Sequence, residues 1–106
     1  MTKSEMIRNL NDQFRKTFIG GRVMLTQGIV GREDVRDILR KVQTFDAFTA
    51  DNDSHKEHDF AAFEAGGDTI FWKIDYYDPS LSGGSEDPSC PERCFRVLTI
   101  LMASEY

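Results

Sequence analysis

The chain has 106 residues and 12.1 kDa, with 40% hydrophobic and 29% charged residues, which excludes a disordered, collagen-like or coiled-coil polypeptide. Its net charge of −5 hides an asymmetry: residues 1–43 hold nine Lys/Arg against five Asp/Glu, whereas residues 44–106 hold four against thirteen. So acidic a second half argues against direct nucleic-acid binding, which draws its affinity from Lys and Arg on phosphates, and favours a protein partner with a basic surface.

In chain order, Ile7, Leu10, Phe14 and Phe18 recur at helical spacing, with Arg8, Asn11, Asp12, Arg15 and Lys16 between them as an outer polar face. Thr2 and Glu5 fit a capping box and Gly20-Gly21 supplies a stop, which predicts a helix over residues 3–19. Arg22 to Ile29, apolar and bounded by glycines, reads as a first strand. From Glu33 the apolar positions Val35, Ile38, Leu39, Val42, Phe45 and Phe48 predict a second helix ending near Thr49.

Ala50 to Glu57 carries Asp51, Asn52, Asp53 and Ser54, turn formers without periodicity, and reads as a loop. His58–Ala65, Gly66-Gly67 and Asp68–Tyr77 form a hairpin pattern, and Ile70, Trp72, Ile74 and Tyr76 alternate with a mixed face. Asp78 to Arg93 holds all three prolines and reads as a long loop. Phe95–Met102 is apolar on both faces and belongs inside the sheet.

The fold class expected is α+β: two helices on one face of a roughly four-stranded antiparallel sheet, in the strand order two, three, four, one. Surface scaling gives about 6,000 Å² for the folded chain, so residues 1–106 suffice for a single domain with a core that needs no metal or disulfide. The expected core is Leu10, Phe14, Val35, Ile38, Leu39, Val42, Trp72, Ile74 and Leu98. No apolar run approaches the roughly 20 residues that span a bilayer, and Met1-Thr2-Lys3-Ser4-Glu5 lacks a signal peptide's apolar core, so no membrane association and a cytoplasmic location are expected.

Four blocks carry a family resemblance: Leu10-Asn11-Asp12-Gln13-Phe14-Arg15, Glu57-His58-Asp59-Phe60, Ile70 to Asp78, and Arg96 to Tyr106. Together they resemble domain-of-unknown-function family 3768, small and mostly alphaproteobacterial proteins often found on plasmids or phages. The resemblance implies no established activity. Mobile-element association implies, by analogy alone, a counter-defence role of the anti-CRISPR or anti-restriction kind. The family's acidic loop reads Asp-Asn-Asp-Pro with a glycine before Glu-His-Asp-Phe; this chain departs from it with Ser54 and Lys56 at the proline and glycine places.

The densest polar cluster is Asp51, Asp53, His55, Glu57, His58 and Asp59. A calcium loop starting at Asp51 would need glycine and glutamate where Lys56 and Ala62 stand, and His55 and His58 lack the helical spacing of a zinc pair, so no metal and no cofactor are expected. Cys90 and Cys94 lack a second pair and read as free thiols. No phosphate loop, nucleophile elbow or Cys/His nucleophile pair is present.

The candidate binding residues are therefore Asp51, Asp53, Glu57, His58 and Asp59 in the loop, with Lys73, Asp75 and Tyr77 on the mixed strand face. The function expected is a non-enzymatic, acidic protein-interaction module whose partner has a basic surface, such as one that normally grips nucleic acid. A homodimer is left open. The alternative is a small hydrolase or metal-dependent enzyme built on His58/Asp59 and Asp51/Asp53.

Overall fold

A computed structural model describes residues 1–106. Helix α1 (Lys3–Thr17) opens with the expected box, in which the Thr2 hydroxyl accepts from Glu5 N and the Glu5 carboxylate accepts from Thr2 N. It ends at Phe18, whose left-handed φ of 59° sends its N–H back to Phe14 O, two residues before the expected glycine stop. The first strand, β1 (Gly21–Leu25), is shorter than expected, and the segment after it is not strand but a helical turn, α2 (Gln27–Val30). The cause lies far away in the chain. The Glu105 carboxylate accepts from Thr26 Oγ1 at 2.6 Å and Gly28 N at 3.0 Å, so it satisfies the start of α2. A Cβ at Gly28 would stand 2.7 Å from that carboxylate.

Helix α3 covers only Val35–Thr44. Phe45 and Phe48 sit at helical spacing but lie beyond its end, because their rings turn inward onto Trp72 at centroid distances of 6.0 and 6.1 Å. Aromatic burial outweighs continuation of the helix. The hairpin follows as β2 (Phe60–Ala65) and β3 (Asp68–Tyr77), turned by Gly66 and Gly67 at positive φ, and β4 (Phe95–Met102) has the expected bounds.

The sheet order is β1-β4-β3-β2, with β4 inside as its two apolar faces require. The α+β architecture is as expected, with one difference: β1 runs parallel to β4, while the other pairs are antiparallel. The route from β1 through α2, α3 and the hairpin is long enough to reverse direction, so no tight turn forces β1 to be antiparallel.

All three helices pack on one sheet face. The core there joins Phe14, Ile29, Ile38 and Val42 to Ala61, Ile70, Trp72, Ile74, Leu98 and Ile100, with Val35 and Leu39 half-buried against it. Leu10 is not part of this core; it lines a surface cleft beside Gln13 and Phe14, because the buried stripe of α1 runs through Ile7, Asn11, Phe14 and Arg15 instead. The accessible surface is 6450 Å². No helix is long and apolar enough to cross a membrane.

Candidate functional site

The inward turn of Asn11 and Arg15 organises the polar centre of the molecule. Arg15 is 1% exposed; its guanidinium donates to Val42 O at 2.7 Å and Gln43 O at 3.4 Å, satisfying the C-terminal carbonyls of α3, and to Asp12 Oδ1 at 3.1 Å. It lies over the rings of Phe48 and Trp72 at 5.5 and 5.0 Å. Those π faces offset part of the cost of burying a charge whose Nε has no hydrogen-bond partner.

Asp12 passes the network to the acidic loop. His58 Nδ1 lies 2.9 Å from Asp12 Oδ1, and on the other side of the ring Nε2 lies 3.4 Å from Asp53 Oδ2. The ring stacks on Phe48 at 3.7 Å and 5°. Asp53, 8% exposed, also accepts from His58 N at 3.1 Å, which holds the His58 backbone at its left-handed φ of 53°, so that β2 starts at Phe60, two residues later than the expected His58. The His58 ring separates two shallow clefts, one walled by Asp12, Arg15, Lys16 and Asp46, the other by Arg8, Thr49 and Lys56.

A second chain of bonds starts at Asn11, fully buried, which donates to Tyr76 Oη at 2.8 Å and Glu57 O at 3.0 Å and accepts from Arg96 Nε at 2.6 Å. Tyr76 donates to Glu57 Oε1 at 2.9 Å, and burial pushes its hydroxyl pKa far up. Arg96, 4% exposed, lies over the Tyr76 ring and donates to Pro88 O, pinning the long loop to the sheet.

The eight candidate binding residues thus separate. Asp53, Glu57 and His58 are brought together as internal bracing. Asp51 is exposed. Asp59 is half-buried and makes no hydrogen bond to His58; burial, with Glu57 and Asp53 nearby, raises its pKa above the usual carboxylate value. Lys73 and Asp75 pair at 3.0 Å on the opposite sheet face, with Tyr77 exposed at the end of β3. The sequence reading missed Asn11, Asp12 and Arg15, although their spacing from Ile7 and Phe14 puts Asn11 and Arg15 on the inward stripe of α1.

No group of three or more His, Cys, Asp or Glu side chains is placed to hold a metal ion. The profile of the family described as "Protein of unknown function (DUF3768)" matches residues 25–105. The chain belongs to this family. No curated protein and no solved structure matches it.

Lys56, in the acidic loop, has φ 59°, a region that costs an L-residue about 1–2 kcal/mol and glycine almost nothing. Lys56→Gly is expected to raise stability by about 0.5–1 kcal/mol in urea unfolding, the gain being reduced by the freer unfolded chain. Asp59 gives a pH test. Its raised folded pKa means that the ionised carboxylate opposes folding, so its penalty is absent below the ordinary Asp value and builds as pH climbs from there to the raised one. Asp59→Asn is expected to melt higher than the native chain at pH 7, with the difference vanishing toward about pH 3, below the ordinary Asp value.

Proposed function

We propose that this chain is a non-enzymatic, cytoplasmic protein-interaction module whose acidic second half docks on a basic protein surface. The observation that carries this reading is unneutralised charge. Of the thirteen carboxylates in residues 44–106, five lie within ion-pair distance of a cationic or His group, which leaves eight without one. Three of the four cations in that half are committed internally: Lys73 to Asp75, Arg93 to Glu86, and Arg96 to the buried network. The loop at residues 78–93 adds a cleft of about 230 Å³ walled by Asp78, Glu86 and Glu92 together with Pro79, Gly84 and Arg93, the last paired with Glu86. Hydrogen bonds from Ser80 and Ser82 hold Asp78, and one from Cys90 holds Glu92, below the usual carboxylate range, so both stay ionised. A surface of this kind favours lysine or arginine side chains, and a partner that itself grips nucleic acid offers them, in keeping with a counter-defence role.

The docking carboxylates are the exposed Asp46, Asp51, Glu64 and Glu92; Asp53 and Glu57 brace the fold. The test is affinity capture from the native host with the native chain and with Asp46→Asn, Asp51→Asn, Glu64→Gln and Glu92→Gln combined. A basic protein retained by the first and lost from the second is the expected result. Equal retention by both would contradict it.

One observation favours the enzymatic alternative in altered form. His58, its ring nitrogens facing Asp12 and Asp53, has the makings of an acid–base group, though its partner is Asp12 and not Asp59. On that reading His58→Asn abolishes turnover of a small substrate while leaving protein capture untouched.

A further inference from the structure

Alternation along β4 turns Arg96 to the same sheet face as Leu98 and Ile100, the face that the helices cover, so its guanidinium is carried inward. There it meets neutral acceptors only: Nε donates to Asn11 Oδ1 at 2.6 Å and Nη2 donates to Pro88 O. The chain's other buried arginine, Arg15, has the Asp12 carboxylate at 3.1 Å, whereas no carboxylate stands within ion-pair distance of Arg96. A cation taken out of water without an opposite charge is costly. Nη1 makes no hydrogen bond at all, and unlike Arg15 Nε it is not sealed off from solvent.

Arg96 lines a cleft of about 490 Å³, a volume in the range of small-molecule sites. Leu10 and Phe14 of α1, Ile19 beyond its end, and Pro91 and Cys94 of the facing loop give the cleft an apolar wall. Neither a carboxylate nor a second cation is among its lining residues, so the Arg96 charge is uncompensated there. Ile19, 77% exposed, adds uncovered apolar surface to the same cleft. One buried, unpaired charge in an otherwise apolar cleft is the pattern of a site that orients a ligand by one polar end and holds the rest by contact.

We infer that this cleft binds a small monocarboxylate with an apolar body, its carboxylate on Arg96 and its body against Leu10, Phe14 and Ile19. The two N–H groups of Nη1 and the second of Nη2 are free to donate, and a guanidinium recognises a carboxylate through such paired donors. A single cation suits a single negative charge; a phosphate or a nucleotide would call for further cations and polar walls, which the cleft lacks. A neutral or cationic ligand would leave Arg96 without its counter-ion. The site is separate from the acidic docking surface, since none of the docking carboxylates lines it.

Titration of the isotope-labelled full chain with octanoate, followed by nuclear magnetic resonance, tests this. Saturable shifts are expected at the amides of Thr17, Gly20 and Cys94 and at the Arg96 Nε–H, which reports the guanidinium directly. The matched alcohol, 1-octanol, is expected to bind about tenfold more weakly or worse, and octylamine not at all, because both lack the charge that pairs with Arg96. A peptide ending in a free leucine carboxylate is expected to bind no more tightly than octanoate, since its main-chain amides would lie against an apolar wall. Arg96 also braces the fold, so the variant used is Gln13→Glu: residue 13 is exposed on α1 and lines the cleft, and the new carboxylate competes for the guanidinium. It is expected to weaken octanoate about tenfold and to leave 1-octanol unchanged, with circular dichroism confirming that the variant folds. No saturable shift at millimolar octanoate, shifts that spare Arg96, 1-octanol as tight as octanoate, tighter binding of the peptide, or a folded Gln13→Glu chain with native octanoate affinity would each overturn the proposal.

Discussion

Arg15→Met is expected to destabilise the protein by about 3–5 kcal/mol, the cost of breaking a buried charged network by removing one partner. Methionine fills much of the same volume against Phe48 and Trp72, so lost packing is a minor part of the effect. What is lost is donation to the carbonyls of Val42 and Gln43 at the end of α3, and the cation that faces Asp12. The carbonyl of Val42 keeps only the long bond from Phe45 N at 3.4 Å and loses its short, charged donor. Asp12 retains His58, so the damage spreads from the α1–α3 contact into the acidic loop. At about 4–8 °C per kcal/mol for a domain of this size, thermal unfolding should begin more than about 12 °C lower. A loss under about 1 kcal/mol would show that Arg15 is not buried as described.

Asn11→Leu is expected to cost about 2–4 kcal/mol, for a different reason. Leucine has nearly the same volume, and the position is fully buried, so an apolar reading of α1 would expect the substitution to help. Asn11 is instead the one residue that both accepts from Arg96 and donates to Tyr76 and Glu57. Its removal strands a guanidinium nitrogen in the interior and leaves Tyr76 and the Glu57 carbonyl short of a donor, each unmet group costing about 1–3 kcal/mol. Urea unfolding of Asn11→Leu beside Arg96→Met and the double variant measures the coupling; a double variant less damaged than the sum of the singles is the expected outcome.

The contrast between these two positions and the rest of α1 explains what was legible in the sequence. Local devices were readable because their cause is local: Thr2 with Glu5 caps the helix, Gly66-Gly67 turns the hairpin, and the doubly apolar run of Phe95–Met102 places β4 inside the sheet. Elements decided by distant partners were not. The segment after Leu25 becomes α2 because Glu105 reaches it across 77 positions of sequence, and Phe45 and Phe48 leave the helical path because Trp72 offers them a place in the core.

The candidate site was half legible for the same reason. The loop residues Asp53, Glu57 and His58 stood out as a polar cluster, but what they do depends on Asp12 and Asn11, which are 46 positions away along the chain. Polarity, not spacing, placed Asn11 and Arg15 on the outer face, since polar side chains are usually solvated; in the fold they replace Leu10 on the buried stripe. The opposite sheet face carries three further candidates, Lys73 paired to Asp75 and Tyr77 at the end of β3.

The central claim, that exposed and unpaired carboxylates of the second half steer a basic protein onto this chain, is tested most directly by the association rate with the captured partner as a function of salt. Unlike charges accelerate encounter, and the effect is screened over about 8 Å at physiological ionic strength. The account predicts a rate that falls steeply as salt rises for the native chain, and a slower, nearly flat profile for the variant neutralised at Asp46, Asp51, Glu64 and Glu92. A rate that is indifferent to salt and unchanged by the four substitutions would contradict it.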